Sequence, residues 1–160
     1  MANSASGQIN ENRIEAKCGY GFYQGFNLGL NYYYQENLDI GVGLGTHFNL
    51  PPLESENHFN ISIENNLHFG KLNKQELKPW LFNQQIMYWE QGPSYDRWRI
   101  LSLGLNIGRK FPINKKTGFS IDIGPAFNLL VDVKRDPFVE PGGWMWPILY
   151  NGRFQFYYNF

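Results

Sequence analysis

Any chemistry in this chain would have to come from ionisable side chains that share one face of an alternating pattern. Nine residues do so: Arg13, Glu15, Lys17, Asp39, Glu64, Lys110, Asp122, Asp132 and Arg153. Brought into one narrow space, such a set has two uses. It can line a small selective pore or proton relay. Alternatively, the four cations and five carboxylates can pair into a hydrogen-bonded plug that fixes the fold, since unpaired charge is costly away from water. The plug is the expectation.

The three histidines, His47, His58 and His68, invite a metal or a nucleophile-activating base. His58 and His68 are ten positions apart on one strand face, on the order of 30 Å when extended, so they cannot share an ion. No Cys/His cluster has zinc spacing. The nearest approach to a catalytic trio is His58 with Ser62 and Glu64, all even positions of one segment. That trio would share the polar face with the nine charges. The expectation is therefore no enzyme, no metal and no cofactor. The single cysteine, Cys18, excludes an internal disulfide and fits a small apolar position within a strand. It follows Glu15-Ala16-Lys17 and not the apolar stretch that precedes a lipid-anchored cysteine.

The elements that must position these side chains are strands. Apolar residues recur at every second position in Ile14–Phe22, Phe26–Tyr34, Leu38–Leu50, Phe59–Phe69, Trp80–Tyr88, Leu101–Ile107, Phe119–Val133 and Phe154–Phe160. The third segment is the cleanest, with Asp39, Gly41, Gly43, Gly45, His47 and Asn49 between its apolar positions. The fifth is less tidy, because Leu81, Met87 and Trp89 occupy its other face. Gln24-Gly25, Glu36-Asn37, Pro51-Pro52, Gln91-Gly92-Pro93-Ser94 and Pro112–Thr117 are turn signals. Eight strands with short connections predict antiparallel neighbours, and helical periodicity competes nowhere.

Such strands fit either a soluble barrel with the apolar face inside or a membrane barrel with that face outside. Side-chain size separates the two. The polar face carries Gly19, Gly21, Gly29, Gly41, Gly43, Gly45, Gly104, Gly108 and Gly124, whereas the apolar face carries nearly all the branched and aromatic bulk. An eight-stranded interior is just wide enough for side chains to fill, so the small residues belong on the concave side. Aromatics also gather at two levels. Tyr32, Tyr34, Phe69, Trp80, Phe111, Phe119, Phe156, Tyr158 and Phe160 mark one, and Phe22, Phe26, Phe48, Phe59, Tyr88 and Trp146 the other. That is the double girdle of a bilayer-spanning barrel. The predicted fold is all-β, an eight-stranded antiparallel up-and-down transmembrane β-barrel.

Bulk composition agrees. Charged residues make up 18% of the 160 residues, below the roughly 25% of soluble domains. Formal net charge is zero, which leaves no basic field for nucleic acid. Mean hydropathy is −0.44, and no run approaches the ~18 apolar residues that a membrane helix needs. Residues 1–11 are expected to be a tag scar or the remnant of a removed signal, and residues 12–160 a single barrel domain.

The final stretch, Arg153-Phe154-Gln155-Phe156-Tyr157-Tyr158-Asn159-Phe160, resembles the C-terminal assembly signal of bacterial outer-membrane barrels. Alternating Phe154, Phe156, Tyr158 and Phe160 carry the likeness. The whole chain resembles the small eight-stranded outer-membrane barrels of the OmpA/OmpX/OmpW type. Its Tyr- and Asn-rich strands, and Asn37-Leu38-Asp39-Ile40-Gly41-Val42-Gly43-Leu44-Gly45-Thr46-His47-Phe48 in particular, are similar to Bacteroidota versions. The resemblance implies location in the outer membrane, contact with lipopolysaccharide and phospholipid, and engagement of the barrel-assembly machinery through the last strand. Relatives that are lipid A deacylases or palmitoyltransferases use a His with a Ser and an acid, but a deacylase-like His-x-Ser is absent, since Phe59-Asn60 follows His58.

The function expected from all this is a non-catalytic barrel with a side-chain-filled lumen, structural or accessory to a larger outer-membrane assembly. The alternatives are a narrow channel or small-ligand binder in the OmpW manner and, more weakly, a lipid-modifying enzyme. The connection 134–146 holds Phe138, Trp144 and Trp146. These are candidate anchors for a partner, or else members of the outer girdle. The last strand should pair with the first around Ile14–Phe22 and leave no free edge.

Overall fold

A computed structural model describes residues 14–22, 24–46, 59–70, 78–92, 96–135 and 147–160. Eight strands follow one another: β1 (Ile14–Gly21), β2 (Gly25–Gln35), β3 (Leu38–Thr46), β4 (Phe59–Phe69), β5 (Trp80–Gln91), β6 (Asp96–Pro112), β7 (Thr117–Arg135) and β8 (Ile148–Asn159). Each pairs antiparallel with the next, and β8 closes on β1. In that seam Ala16, Cys18 and Tyr20 lie opposite Tyr158, Phe156 and Phe154, and the Phe160 amide donates to the Ile14 carbonyl at 3.1 Å. The expected closure is therefore present, and no strand edge is left open.

The two faces divide by chemistry. Glu15, Asp39, Asn60, Asn66, Asn83, Gln85, Asn106 and Asp122 are buried, while Leu28, Leu30, Val42, Ile63, Ile86, Ile107 and Ile123 are exposed. Polar side chains thus fill the inside and apolar ones cover the outside, the reverse of a soluble barrel. Glycines make the inside narrow enough to pack. A Cβ at Gly19 would sit 2.1 Å from the Phe154 carbonyl oxygen, and one at Gly124 would sit 2.0 Å from that of Leu105. These positions let neighbouring backbones and inner side chains approach closely. At the turns, Gly25 takes φ 59° and Gly70 takes φ 83°, where a side chain would be strained.

One rim, here called the lower, carries the Glu36–Asn37 turn and the turn 113–116. In the latter, the Asn114 side-chain oxygen accepts from the Lys116 and Thr117 amides, both at 2.8 Å, an Asx-type closure. The described aromatics expected at this level, from Tyr32 to Phe160, all project outward near it. At the upper rim, Phe22 and Phe59 are exposed. Phe48 and Trp146 lie outside the described residues, as do residues 1–11 and the last four positions of the third segment, 47–50.

In β7 the alternation predicted from Phe119 to Val133 does not hold throughout. Pairing with β6 jumps from Ser102↔Asn128 to Leu101↔Leu130, so Leu129 is an extra residue. A bulge of this kind reverses the facing of every residue beyond it. Asp132 consequently lies opposite Arg99 on the outer side and is exposed.

Candidate functional site in the barrel interior

Seven of the nine predicted charges are buried together, supplied by six strands. Glu15 and Lys17 come from β1, Asp39 from β3, Glu64 from β4, Lys110 from β6, Asp122 from β7 and Arg153 from β8. Each sits at an inward position of its strand because the two-residue period and the closure of the sheet leave no other direction. Asp132 is excluded by the Leu129 bulge, and Arg13 lies outside the described residues.

Arg153 and Glu64 form the centre. The Arg153 Nη1 lies 2.7 Å from Glu64 Oε2, and its Nε lies 3.0 Å from Asp122 Oδ1. Lys17 Nζ takes the other Glu64 oxygen at 2.6 Å. Asn83 and Asn66 donate to the same carboxylate, at 3.2 and 3.3 Å, and Asn106 donates to Asp122 at 2.8 Å. Charge-assisted contacts of this kind are the strong ones. They also hold both carboxylates in one geometry, since every oxygen already has a donor.

A second group lies toward the lower rim. Lys110 Nζ is 2.6 Å from Glu15 Oε2 and 2.7 Å from the Tyr33 hydroxyl, and it sits 4.8 Å from the centre of the Tyr157 ring. Asp39 receives the Asn31 and Asn66 side-chain amides at 2.5 and 2.7 Å and faces His68 Nε2 at 2.5 Å. Lys17, 3.8 Å from Glu15, links the two groups. Among the described residues the interior thus holds Glu15, Asp39, Glu64 and Asp122 against Lys17, Lys110 and Arg153. Four negative and three positive charges leave −1, or zero when His68 carries a proton.

His68, Tyr33, Asn31, Asn66 and Asn83 belong to this network, although counting charges alone did not include them. The signal was present: His68 and Asn66 share the even parity of Glu64, and the register sets Asn66 against Asp39. Of the candidate trio His58, Ser62 and Glu64, His58 lies outside the described residues, and Glu64 is occupied by Lys17 and Arg153. His47 also lies outside them. No group of three metal-ligating side chains occurs among the described residues. Cys18 is exposed on the outer face, opposite Leu28 and Phe156.

The upper end of the interior differs. Met87, Trp89 and Ile100 are buried against one another, with Trp98 and Leu149 packed alongside. Trp89 Nε1 donates to Ser102 Oγ at 3.0 Å, which in turn donates to Asn128 Oδ1 at 2.8 Å. Met87 and Trp89, the residues that made the fifth segment look untidy, are therefore interior packing residues. Between this cluster and the charges lie Gln85 and Asn151, both about fully buried, whose side-chain amides hydrogen-bond to no described residue. A cavity of about 10 Å³ lies among Lys17, Ser62, Glu64, Arg153 and Gln155, roughly the space of a single water.

The four predicted closing-strand aromatics, Phe154, Phe156, Tyr158 and Phe160, all project to the exposed outer face. Phe138, Trp144 and Trp146 lie outside the described residues. Comparison with protein-family models, with curated proteins and with solved structures gave no match.

Proposed function

We propose that this chain is an integral membrane β-barrel of the bacterial outer membrane, of the OmpA/OmpX/OmpW type, without catalysis. On this reading its polar interior acts as a side-chain plug, and the barrel serves as a structural or accessory component of a larger outer-membrane assembly. The observation that carries the reading is the inversion of the two faces. Aliphatic side chains such as Val42, Ile63 and Ile123 are more than half exposed, whereas Glu15 and Asp39 are wholly buried. In water that arrangement would expose a continuous apolar belt far beyond what a soluble monomer tolerates. In a bilayer it satisfies every lipid-facing position, and a closed barrel leaves no unpaired backbone edge in the hydrocarbon.

The lack of catalysis is supported by the ion pairs themselves. Among the described residues each interior carboxylate has a cation, an amide or a histidine beside it, which favours a structural role over that of a free base. The membrane assignment is tested by solubility and gel migration. The folded chain should require detergent and should migrate differently before and after boiling; a monodisperse monomer without detergent would overturn it. The accessory role is tested by native purification in mild detergent. A stoichiometric partner should accompany the barrel and be lost on Phe138→Ala or Trp144→Ala, while a strictly solitary barrel would count against it.

A second reading, a narrow channel or small-ligand binder, is favoured by the buried side chains of Gln85 and Asn151. They offer four hydrogen-bonding atoms with no partner among the described residues, and such groups are ordinarily met by water. Steady ion-selective conductance in planar bilayers would replace the plug with this reading.

A further inference from the structure

Arg109, Lys115 and Lys116 lie at the lower rim, outside the interior. The outward face of β6 and β7 there is built in a particular way. Phe111 and Phe119 stack with ring centres 4.8 Å apart. On the β5 side of that stack, the Arg109 guanidinium lies 5.4 Å from the Trp80 ring and 5.2 Å from the Phe111 ring. On the β8 side, Lys116 Nζ lies 5.8 Å from the Tyr158 ring. Lys115 is exposed in the same turn.

Arg109 Nε is buried and has no hydrogen-bond partner among the described residues. With Nε buried, an anion would meet the outer nitrogens of the guanidinium, which two rings hold in place. Directly above it along the barrel, Ile107, Ile121 and Ile123 form an exposed aliphatic strip, with Ile121 opposite Arg109 and Ile123 opposite Ile107. The upper rim is arranged otherwise. There the outward Arg97 and Arg99 have an acidic partner, Glu90, at 3.7 and 3.2 Å.

We propose that Arg109 and Lys116 form a headgroup site for an anionic glycerophospholipid. The phosphate would meet Arg109, Lys116 across the Phe111–Phe119 stack would add to the positive field that draws the headgroup in, and an acyl chain would lie along Ile107, Ile121 and Ile123. Charge complementarity and the adjoining aliphatic strip select a lipid over a free anion: the cations attract the phosphate, and only an acylated molecule covers the isoleucines. The proposal rests on the membrane reading above and adds to it a particular lipid class and a particular side of the barrel.

The test uses the full chain in zwitterionic micelles, with native mass spectrometry reporting retained phosphatidylglycerol, phosphatidylcholine or glycerol phosphate. The wild type should retain phosphatidylglycerol over phosphatidylcholine by on the order of tenfold, as two interfacial cations imply, and should retain no glycerol phosphate. Arg109→Gln combined with Lys116→Gln should abolish the preference, whereas Arg109→Lys combined with Lys116→Arg should keep most of it. Heat-modifiable migration of each variant reports that the barrel is intact. Equal retention of the two lipids by the wild type, retention by the glutamine variant, or equal capture of glycerol phosphate would each overturn the site while leaving the membrane reading standing. A chain that enters neither micelles nor vesicles would overturn both.

Discussion

In the lower and middle interior Glu64 is gripped by Lys17 and Arg153, and Arg153 reaches on to Asp122. At the upper end of β5 and β6, Trp89 packs with Met87 and Ile100 beside a Trp–Ser–Asn hydrogen-bond chain. Both regions fill the same closed sheet, and both are almost wholly buried. They differ in what failure costs. An apolar cluster that loses an atom loses contact energy in proportion to the space left behind. A buried ion network that loses one member leaves another charge without compensation, which is the costlier error. The ion-paired region therefore fixes which strands must meet, because Glu15 of β1 depends on Lys110 of β6 across the barrel, while the apolar region tolerates graded change.

The largest expected effect comes from breaking the ionic hub. Arg153→Met should destabilise the barrel by about 3–5 kcal/mol, because Asp122 keeps only its amide donor and Glu64 only Lys17 among cationic partners. Urea unfolding in detergent, followed by gel migration, would measure it. Removing the stranded carboxylate as well, as Arg153→Met with Asp122→Leu, should recover part of that loss. If the double variant is no more stable than the single one, the loss is one of packing and not of charge.

A smaller effect is expected in the apolar region. Trp89→Phe keeps most of the buried ring but removes the donor to Ser102, so about 1–2 kcal/mol should be lost. Ser102 retains Asn128 as a partner, which limits the damage. Measured by the same unfolding experiment, a loss as large as that of Arg153→Met would remove the contrast between the regions.

How much of this was legible in the sequence follows from the same physics. The eight strands and the polar inside could be read because alternation and glycine placement are local and repeat along the chain. Seven of the network's charges could be read by parity alone. Parity could not reveal that His68 meets Asp39, which depends on pairing two strands in one register. Nor could it reveal the upper cluster. Trp89 and Ile100 are apolar residues at inward positions, and a rule that assigns apolar residues outward treats them as noise.

Asp132 provides the finest test, because sequence parity and structure give opposite answers. Strict alternation through β7 places it inside with Asp122, where Asp→Asn would disturb a buried ion network by several kcal/mol. The Leu129 bulge places it outside and exposed, opposite Arg99, which already engages Glu90 at 3.2 Å. Exposed charges of this kind contribute little, so Asp132→Asn should change stability by no more than about 0.5 kcal/mol. Deleting Leu129 is the sharper companion. It would make Asn128 and Leu130 neighbours opposite Ser102 and Leu101, restore regular pairing with β6, and leave Asp132 opposite Arg99 on the outer side. The deletion should therefore cost little, within about 1 kcal/mol, and Asp132→Asn should remain close to neutral in its background. A strongly destabilising deletion in the unfolding experiment would mean that Leu129 is a paired residue and that the upper part of β7 keeps strict alternation.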